Sequence, residues 1–531
     1  MTPPVVWSIA GSDSGGGAGL QADLKAFEAF DVHGCTAVAV VTAQNSRAVR
    51  HLEVMDSRVL EAQLCALAED LPPRAIKLGL LGSVENVRCV ARWVDRLRTH
   101  RPVALVFDPV RSATTGARFA TEAVRQAFLA ELLPRATVVT PNRGEAAWLL
   151  GWDELHADRV PEAARQLLAL GARAVAITGG DAQTMWARDW IASPQVQAWM
   201  ELPRVPTPHH HGSGCVFAAS AAAALAHGFC EADALILAKM AATEALRRSR
   251  SAGEGAGPVR PGPDFAGRIE NLPRLHLPGQ PLVPPFPAWS APTPSLYAIV
   301  DSAPWVERLL AAGVRTLQLR IKHAPQATLR QAVRDSVRAC QAVGAQLFVN
   351  DHWSLALEEG AYGVHLGQED LETLDAKAWE RMHQSGVRLG LSTHSYWEVA
   401  RALALQPSYI ACGPIHPTVT KDMPWIPQGE DNLAYWCQLL DRPVVAIGGM
   451  DDARAREAVR CGAAAVAVLS RITQSEDPVR AVQRLQAAMG EGARGPRRAA
   501  PARARPSLSG PIAADADDTL RADREPDPSR R

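Results

Sequence analysis

From Leu296 onward the chain repeats one pattern eight times: a short apolar run, then a helical stretch. The runs are LYAIV, TLQL, QLFV, YGVHL, RLGLS, YIACG, PVVAI and AVAVL. Eight such units predict a closed (β/α)8 barrel, in which the C-terminal ends of all strands converge on one face. Polar or glycine motifs follow seven of the runs: Gln318 to Lys322, Asn350-Asp351, Gly367 to Asp370, Ser392 to Ser395, Thr418 to Lys421, Gly448-Gly449 and Ser470. One polar residue after a strand means little, but seven in this arrangement argue for a single site.

Residues 1 to about 250 also alternate between strand and helix patterns. Val5–Ala10, Thr36–Val41, Ala75–Leu78, Val103–Phe107, Thr137–Val139 and Ala174–Ile177 are short, largely apolar runs. Such runs suit parallel strands buried on both faces, so an α/β sandwich is expected here. Residues 251–294 shift to Gly and Pro and read as a proline-stiffened linker. The barrel is expected over 295–489. The tail, 490–531, rich in Arg, Pro, Ala and Asp, reads as disordered.

Composition narrows the function. Lys+Arg and Asp+Glu are both 56, so net charge is zero and the usual footprint of a nucleic-acid binder is missing. Nine cysteines without a C-x-x-C pair argue against a disulfide framework or a cysteine zinc site, and fit a reducing, cytoplasmic setting. No basic region followed by a long apolar segment opens the chain, so no signal peptide is expected. The most apolar helical stretch, Val216 to Ala226, is too short for a membrane span. Only Lys25, Lys77, Lys239, Lys322, Lys377 and Lys421 are lysines. A lysine inside a polar motif is therefore less of a generic surface cation here. Small-molecule substrates are expected, and a homo-oligomer is left open.

Two stretches carry chemistry in the first half. Ala10-Gly11-Ser12-Asp13-Ser14-Gly15-Gly16-Gly17-Ala18-Gly19 follows a strand and opens a helix containing Asp23. Its glycines permit tight turns and close backbone approach to a ligand, although no complete P-loop motif is present. His209-His210-His211-Gly212-Ser213-Gly214-Cys215 precedes an alanine-rich helix. Backbone N–H groups at such an N-terminus bind anions and stabilise a transferring phosphoryl group. Cys215 falls in the first turn, where the helix dipole is expected to lower its pKa.

These motifs resemble hydroxymethylpyrimidine/phosphomethylpyrimidine kinases of the ribokinase-like superfamily. AGSDSGGGAGLQADLK (Ala10 to Lys25) matches the family pattern, as do Ala43-Gln44-Asn45, Lys77-Leu78-Gly79-Leu80-Leu81, Asp108-Pro109-Val110 and Thr140-Pro141-Asn142-Arg143-Gly144-Glu145-Ala146. The resemblance implies that Asp23 and Gln44 bind the aminopyrimidine and that Gly212, Gly214 and Cys215 form the anion hole. Cys215 stands where most sugar kinases of the superfamily carry an aspartate base. Glu145, with Asp108 as a second candidate, is implied to hold Mg-ATP, in keeping with magnesium's use of few carboxylates. One departure is Thr178-Gly179-Gly180 where the family often has Lys-Gly-Gly; Arg188 is a candidate to replace that charge.

In the second half, Arg320 and Lys322 share one face of their extended segment at period-two spacing, and Lys421 adds a third cation. Asp351 and Asp370 end neighbouring strands, as two Mg²⁺ ligands should. Gly448-Gly449 and Leu469-Ser470 end strands seven and eight, the usual phosphate-binding place of such barrels. Cations with a metal suit a departing diphosphate.

The order QLR-x-K, ND, GVHLGQ-x-D, G-L-S-x-H-S, GPI-x-PT-x-TK and IGG resembles thiamine-phosphate synthases over about Leu296 to Met489. That resemblance implies that Gln318, Arg320, Lys322, Asn350, Ser392 and Lys421 bind a pyrimidine diphosphate. Thr418, Thr420, Gly449, Leu469 and Ser470 are implied to hold a thiazole phosphate. Ile321 replaces the family's usual Glu, on the face opposite Arg320 and Lys322, and Met450 replaces a usual Ile. A ribokinase-like αβα sandwich followed by a TIM barrel, using Mg²⁺ and ATP to make and couple a pyrimidine diphosphate, is the resulting expectation. The rivals are a pyridoxine-type vitamin kinase in the first domain, a thiazole tautomerase in the barrel, or one degenerate half kept as a binding or scaffolding module.

Overall fold

Six short runs of apolar residues lie side by side, in parallel, at the centre of the first unit. The computed structural model describes residues 2–112, 119–180, 184–280, 283–290, 293–418 and 424–512. It divides into two units, Met1–Pro278 with Leu508–Arg531, and Gly279–Ser507.

The strands of the first unit are β1 (Val5–Asp13), β2 (His33–Gln44), β3 (Val49–Val54), β4 (Ala75–Leu78), β5 (Ala104–Phe107), β6 (Val138–Val139), β7 (Ala174–Ile177), β8 (Trp186–Ala192), β9 (Gln197–Pro203) and β10 (Arg274–His276). They form one sheet in the order β10-β9-β8-β7-β6-β5-β4-β1-β2-β3. The core from β7 to β2 is parallel. Antiparallel strands extend both edges, β3 on one side and β8, β9 and β10 on the other.

Alternation along β1 shows why helices cover both faces. Trp7 and Ile9 join a core with Leu60, Leu64, Val90 and Val94 of the helices Ser57–Asp70 and Val84–Arg98. Ser8, pointing the other way, reaches the helix Gly19–Ala29. That helix packs on Ser213–Ala226, which packs in turn on Glu231–Arg247. Ser213–Ala226 is buried from Val216 to Ala226; its small alanine side chains let neighbouring backbones approach from every side. The result is the αβα sandwich expected.

In the second unit β11 (Ser295–Val300), β12 (Thr316–Leu319), β13 (Gln346–Asn350), β14 (Gly363–Leu366), β15 (Arg388–Thr393), β16 (Tyr409–Cys412), β17 (Val444–Ile447) and β18 (Ala465–Val468) form a closed parallel barrel. Pairing of Ser295 to Ala298 with Ala465 to Val468 completes the circle. Tyr297, Phe348 and Tyr409 fill the interior. Trp289, from the segment before β11, packs against all three rings and donates its indole N–H to Gln346 Oε1 at 2.7 Å.

Two expectations need correction. The described residues of 251–294 do not form an extended linker. His211 pairs with Pro258, Phe265 and Val259 are buried, and β10 adds to the sheet edge. Residues 283–290 pack on the barrel, where Phe286 N–H bonds the Gln406 carbonyl at 3.0 Å. Apolar side chains among the prolines and glycines find cores, which composition alone conceals. Likewise, the described part of the tail is ordered: the last barrel helix runs Pro478–Arg494, and Ala504 and Ser507 are buried.

Candidate active sites

The first site is a cleft of about 900 Å³ at the C-terminal ends of the parallel strands. Its floor is organised by Asp13, at the end of β1. One carboxylate oxygen accepts from Gly17 N–H (3.0 Å), Ala18 N–H (2.7 Å) and lies 3.1 Å from His211 Nε2; the other accepts from Gly15 N–H (2.8 Å). Burial alone would raise this carboxyl's pKa, but bonds from His211, Gln44 and the loop N–H groups hold it at about 2. The glycine loop and the histidine loop are thereby tied together. Gly212, at φ +83°, makes the contact possible: a Cβ there would strike the Gly17 carbonyl. Gly212 is also the N-cap of the helix Ser213–Ala226, whose first-turn N–H groups open onto the cleft. Asp13 and His211 were not among the candidates from sequence; the only signal was their place inside the glycine and histidine stretches.

Gln44, Asp108, Glu145, Gly212, Gly214 and Cys215 all line this cleft, as expected from sequence. Asp23 does not. It is fully buried, accepting from Ser8 Oγ at 2.5 Å and Lys77 Nζ at 3.0 Å. Lys77, also fully buried and on β4, does line the cleft, with its Nζ 3.7 Å from Asp108 Oδ2. Asp23 thus lies outside the cleft lining, paired with the Lys77 ammonium behind it. The sequence signal for Lys77 was a lysine inside the four-residue apolar strand AIKL.

The thiol of Cys215 also departs from expectation. Burial pushes it up to about 12, helped by the Asp23 and Asp108 carboxylates and opposed by Lys77 and a Gly19 N–H bond. Desolvation outweighs the helix dipole here. Arg188 does not replace the missing lysine near Thr178: it pairs with Glu201 at 2.6 Å and lies outside the cleft lining. Lys239 of the helix Glu231–Arg247 lines the cleft instead, 2.7 Å from Asp189 Oδ2, which also lines it.

Asp108 and Glu145 face the same space. Burial raises Asp108 to about 6, with Lys77 opposing and Asp23 adding to the shift. Burial and the charge of Asp108 raise Glu145 to about 8. Two buried carboxylates, one of which hinders the other's ionisation, suit a divalent cation. Among the described residues no group of three or more His, Cys, Asp or Glu side chains is placed to hold a metal ion; Mg²⁺ commonly takes one or two carboxylates, waters and phosphate oxygens.

In the barrel, the strand ends gather a second charged group. Lys322 Nζ lies 2.9 Å from Asp351 Oδ2. Asp370 hydrogen-bonds Asp351; burial, then the Asp351 charge, raises its pKa, while Gly367 N–H donates to Asp370 at 2.7 Å and opposes the rise. Asp351 holds φ +63°, a left-handed conformation that Asp tolerates better than most residues. These acids also fit a divalent cation. His352 Nε2 lies 2.9 Å from the Ile321 carbonyl, bracing the segment between Arg320 and Lys322.

Gln318 and Asn350 are buried at the ends of β12 and β13. Gln318 begins a buried chain: its Nε2 donates to Tyr297 OH (3.4 Å), which is 2.9 Å from Tyr409 OH, itself 2.8 Å from His365 Nδ1. His365 Nε2 lies 2.9 Å from Ser392 Oγ. Burial holds His365 down at about 4, with Asp351 opposing and Arg320 assisting, so the imidazole is neutral. Gly449 packs on the turn just before Thr418: a Cβ on Gly449 would lie 2.7 Å from the carbonyl of Pro417. Leu469 caps the short helix that Ser470 begins. Thr420 and Lys421 lie outside the described residues.

The family model for phosphomethylpyrimidine kinase matches residues 13–260, and that for thiamine monophosphate synthase matches residues 296–472. Fold and sites thus define a phosphoryl-transferring vitamin-precursor kinase followed by a phosphate-binding barrel synthase. A rice protein (Oryza sativa subsp. japonica) described as a probable chloroplastic thiamine biosynthetic bifunctional enzyme is 31% identical over 480 residues, 87% of this chain and 84% of that protein. The chain belongs to the bifunctional thiamine biosynthetic enzymes. The thiamine-phosphate synthase of Serratia proteamaculans is 52% identical over 201 residues, covering 36% of this chain and 90% of that one. Among solved structures, a Bacillus subtilis pyridoxal kinase in complex with ADP is 34% identical, covers 49% of this chain and 97% of its own, and has a TM-score of 0.45.

Proposed function

We propose that the first domain transfers phosphate from ATP to hydroxymethylpyrimidine and then to its monophosphate, and that the barrel joins the resulting diphosphate to thiazole phosphate. The observation that carries this is shared by both halves: a lysine beside an acidic pair at the C-terminal ends of parallel strands. Lys77 with Asp108 and Glu145, and Lys322 with Asp351 and Asp370, each suit a polyphosphate and its cation.

In the kinase, N–H groups of Gly214 and Cys215 at the helix N-terminus receive the transferring phosphoryl group. Lys77, fixed by Asp23, balances charge beside it. Asp108 and Glu145 would hold Mg²⁺, which neutralises charge on the nucleotide phosphates. Gln44 offers amide donor and acceptor atoms to the aminopyrimidine. Cys215 keeps its proton at neutral pH and lines the anion hole.

In the barrel, Arg320, Lys322 and Lys421 take the diphosphate, and Asp351 and Asp370 would hold its Mg²⁺. Gln318, Asn350 and Ser392 complete the pyrimidine diphosphate site. Thr418, Thr420, Gly449, Leu469 and Ser470 hold the thiazole phosphate. Breaking the carbon–oxygen bond to the diphosphate leaves a pyrimidinylmethyl cation, and the thiazole nitrogen donates its electron pair to that carbon. The barrel's part is to orient both reactants, stabilise the departing charge and exclude water. His365, neutral and fixed by Tyr409, sets the direction of the Ser392 hydroxyl.

Free thiols at all nine cysteines support a cytoplasmic setting, and no helix among the described residues is long and apolar enough to cross a membrane. The test is a coupled assay on the whole chain with hydroxymethylpyrimidine, Mg-ATP and thiazole phosphate. Thiamine phosphate detected by mass spectrometry is expected. Phosphorylation of pyridoxal in preference to the pyrimidine would overturn the kinase assignment, and diphosphate accumulating without coupling would overturn the synthase assignment.

A further inference from the structure

The segment after the last barrel helix docks on the barrel through bonds made by Ala504, Arg505 and Ser507. Ala504 N–H donates to Tyr396 OH at 3.0 Å. Arg505 exchanges both backbone bonds with the Asn432 side chain, N–H to Oδ1 at 2.8 Å and carbonyl from Nδ2 at 3.0 Å. The Arg505 guanidinium donates to the carbonyls of Pro427 (2.9 Å) and Gln428 (3.1 Å). The Ser507 carbonyl accepts from Ile426 N–H at 2.8 Å. Gly429, at φ +65°, leaves room for this approach: a Cβ there would lie 2.8 Å from an Arg505 nitrogen.

Gln428 is the residue these contacts grip, and it is buried. Its N–H donates to the Pro414 carbonyl at 2.8 Å, and Gly429 N–H to the Ile415 carbonyl at 2.8 Å. Its side-chain amide donates to the carbonyl of His394, two residues beyond Ser392, and its Oε1 accepts from Asn432 at 2.7 Å. Ile415 and His416 in turn donate to the carbonyls of Ile447 (2.9 Å) and Gly448 (3.2 Å). A continuous set of hydrogen bonds therefore runs from Arg505 through Gln428 to the ends of β15, β16 and β17.

We propose that Arg505 is a positioning residue for the thiazole phosphate end of the barrel, holding the turns that carry Thr418 and Gly449 through Gln428. The inference rests on the synthase reading above. Lys322, Asp351 and Asp370 of the diphosphate end follow β12, β13 and β14, and none of the bonds just described reaches them; of that end only Ser392, two residues before His394, and Lys421, three residues after Thr418 in sequence, belong to the stretches these bonds hold. Loss of Arg505 should therefore be felt more by thiazole phosphate than by the pyrimidine diphosphate. A ligand bound by turns that must first be ordered binds more weakly, because part of the contact free energy is spent on ordering.

The test uses the whole chain and steady-state kinetics with each synthase substrate varied in turn. Arg505→Ala, at an exposed residue, should raise KM for thiazole phosphate about tenfold and KM for the pyrimidine diphosphate by about threefold or less, with the kinase rate within about twofold of wild type. Arg505→Lys, which keeps the charge but lacks the fork, should fall between them. Calorimetric titration with thiazole phosphate should show the same weakening. Unchanged affinity in Arg505→Ala overturns the proposal. So does an equal rise in both KM values with a lowered melting temperature, which marks a general structural role. A wild-type chain that neither binds nor turns over thiazole phosphate removes the synthase reading instead, a different failure from a variant that matches an active parent.

Discussion

Lys77 Nζ and Asp23 Oδ2 lie 3.0 Å apart, and neither side chain is exposed at all. Asp23 Oδ1 has no hydrogen-bond partner among the described residues, and burial raises the carboxyl's pKa against the pull of Lys77 and Ser8. Removing one partner from such a pair strands a buried charge, at a cost of about 3–5 kcal/mol, whereas replacing both by apolar groups is often neutral. Lys77→Met alone should thus lower the melting temperature of the kinase unit, and Asp23→Leu with Lys77→Met should recover most of it. Neither should restore phosphoryl transfer, because the cation beside Asp108 is gone. Calorimetry and kinase assays on the two single variants and the double variant check this; independent, additive losses would show that the pair does not act as a unit.

Cys215 should behave as a protonated thiol. With a pKa of about 12 it should alkylate slowly with iodoacetamide at pH 8, more slowly than an unperturbed cysteine. Cys215→Ala should lower kinase turnover by about tenfold or more while leaving the synthase reaction unchanged. A kinase pH profile that rises with a thiol-like ionisation between pH 7 and 9, and loses it in Cys215→Ala, would show that the cysteine acts as a base.

The barrel was legible almost to the residue, because each of its parallel strands is apolar and buried on both faces. TLQL (Thr316–Leu319) begins and ends where the sequence pattern does. Strands β3, β8, β9 and β10 were not legible: residues such as Arg50, Glu53, Arg188 and Glu201 interrupt their apolar runs at exposed or paired edges. The placement of residues was legible where a motif carries it: Gly212 lines the cleft, and Asp351 lies beside Lys322. Role was not legible where it depends on depth. Asp23 and Cys215 sit in motif positions, yet burial turns one into a partner for Lys77 and keeps the other protonated. Arg505 lies in a stretch whose composition suggests disorder, and its order depends on carbonyls of Pro427 and Gln428 that composition cannot reveal.

The Asp108–Glu145 pair should make the kinase unit's stability fall with pH unless a cation is supplied. Both carboxyls have folded pKa values, about 6 and about 8, above the ordinary values of 3.8 and 4.5. Between the ordinary and raised values the folded protein binds more protons than the unfolded one, so unfolding becomes easier as pH rises through that window. A divalent cation favours the ionised pair. Its stabilisation should therefore grow from pH 5 to pH 8, with proton release on binding. Melting temperatures with and without Mg²⁺ across this range, with Asp108→Asn as a control, check the trend; a Mg²⁺ effect independent of pH would remove these acids as its site.

Asp351 sets the last expectation, because its backbone and its charge can be tested separately. At φ +63° an asparagine keeps the left-handed backbone at little cost, whereas alanine is strained by roughly 1 kcal/mol. Asp351→Asn should therefore fold like the parent, yet lose the partner of Lys322 and one of two acids at the proposed metal site. Synthase turnover should drop by about a hundredfold, and the Mg²⁺ concentration needed for half-maximal rate should rise. The kinase reaction of the same chain should be unchanged. Asp351→Ala should show the same catalytic loss plus a lowered barrel melting temperature. If Asp351→Asn keeps full turnover at the parent's Mg²⁺ requirement, the carboxylate serves only to shape the turn, and Asp370 must hold the metal without it.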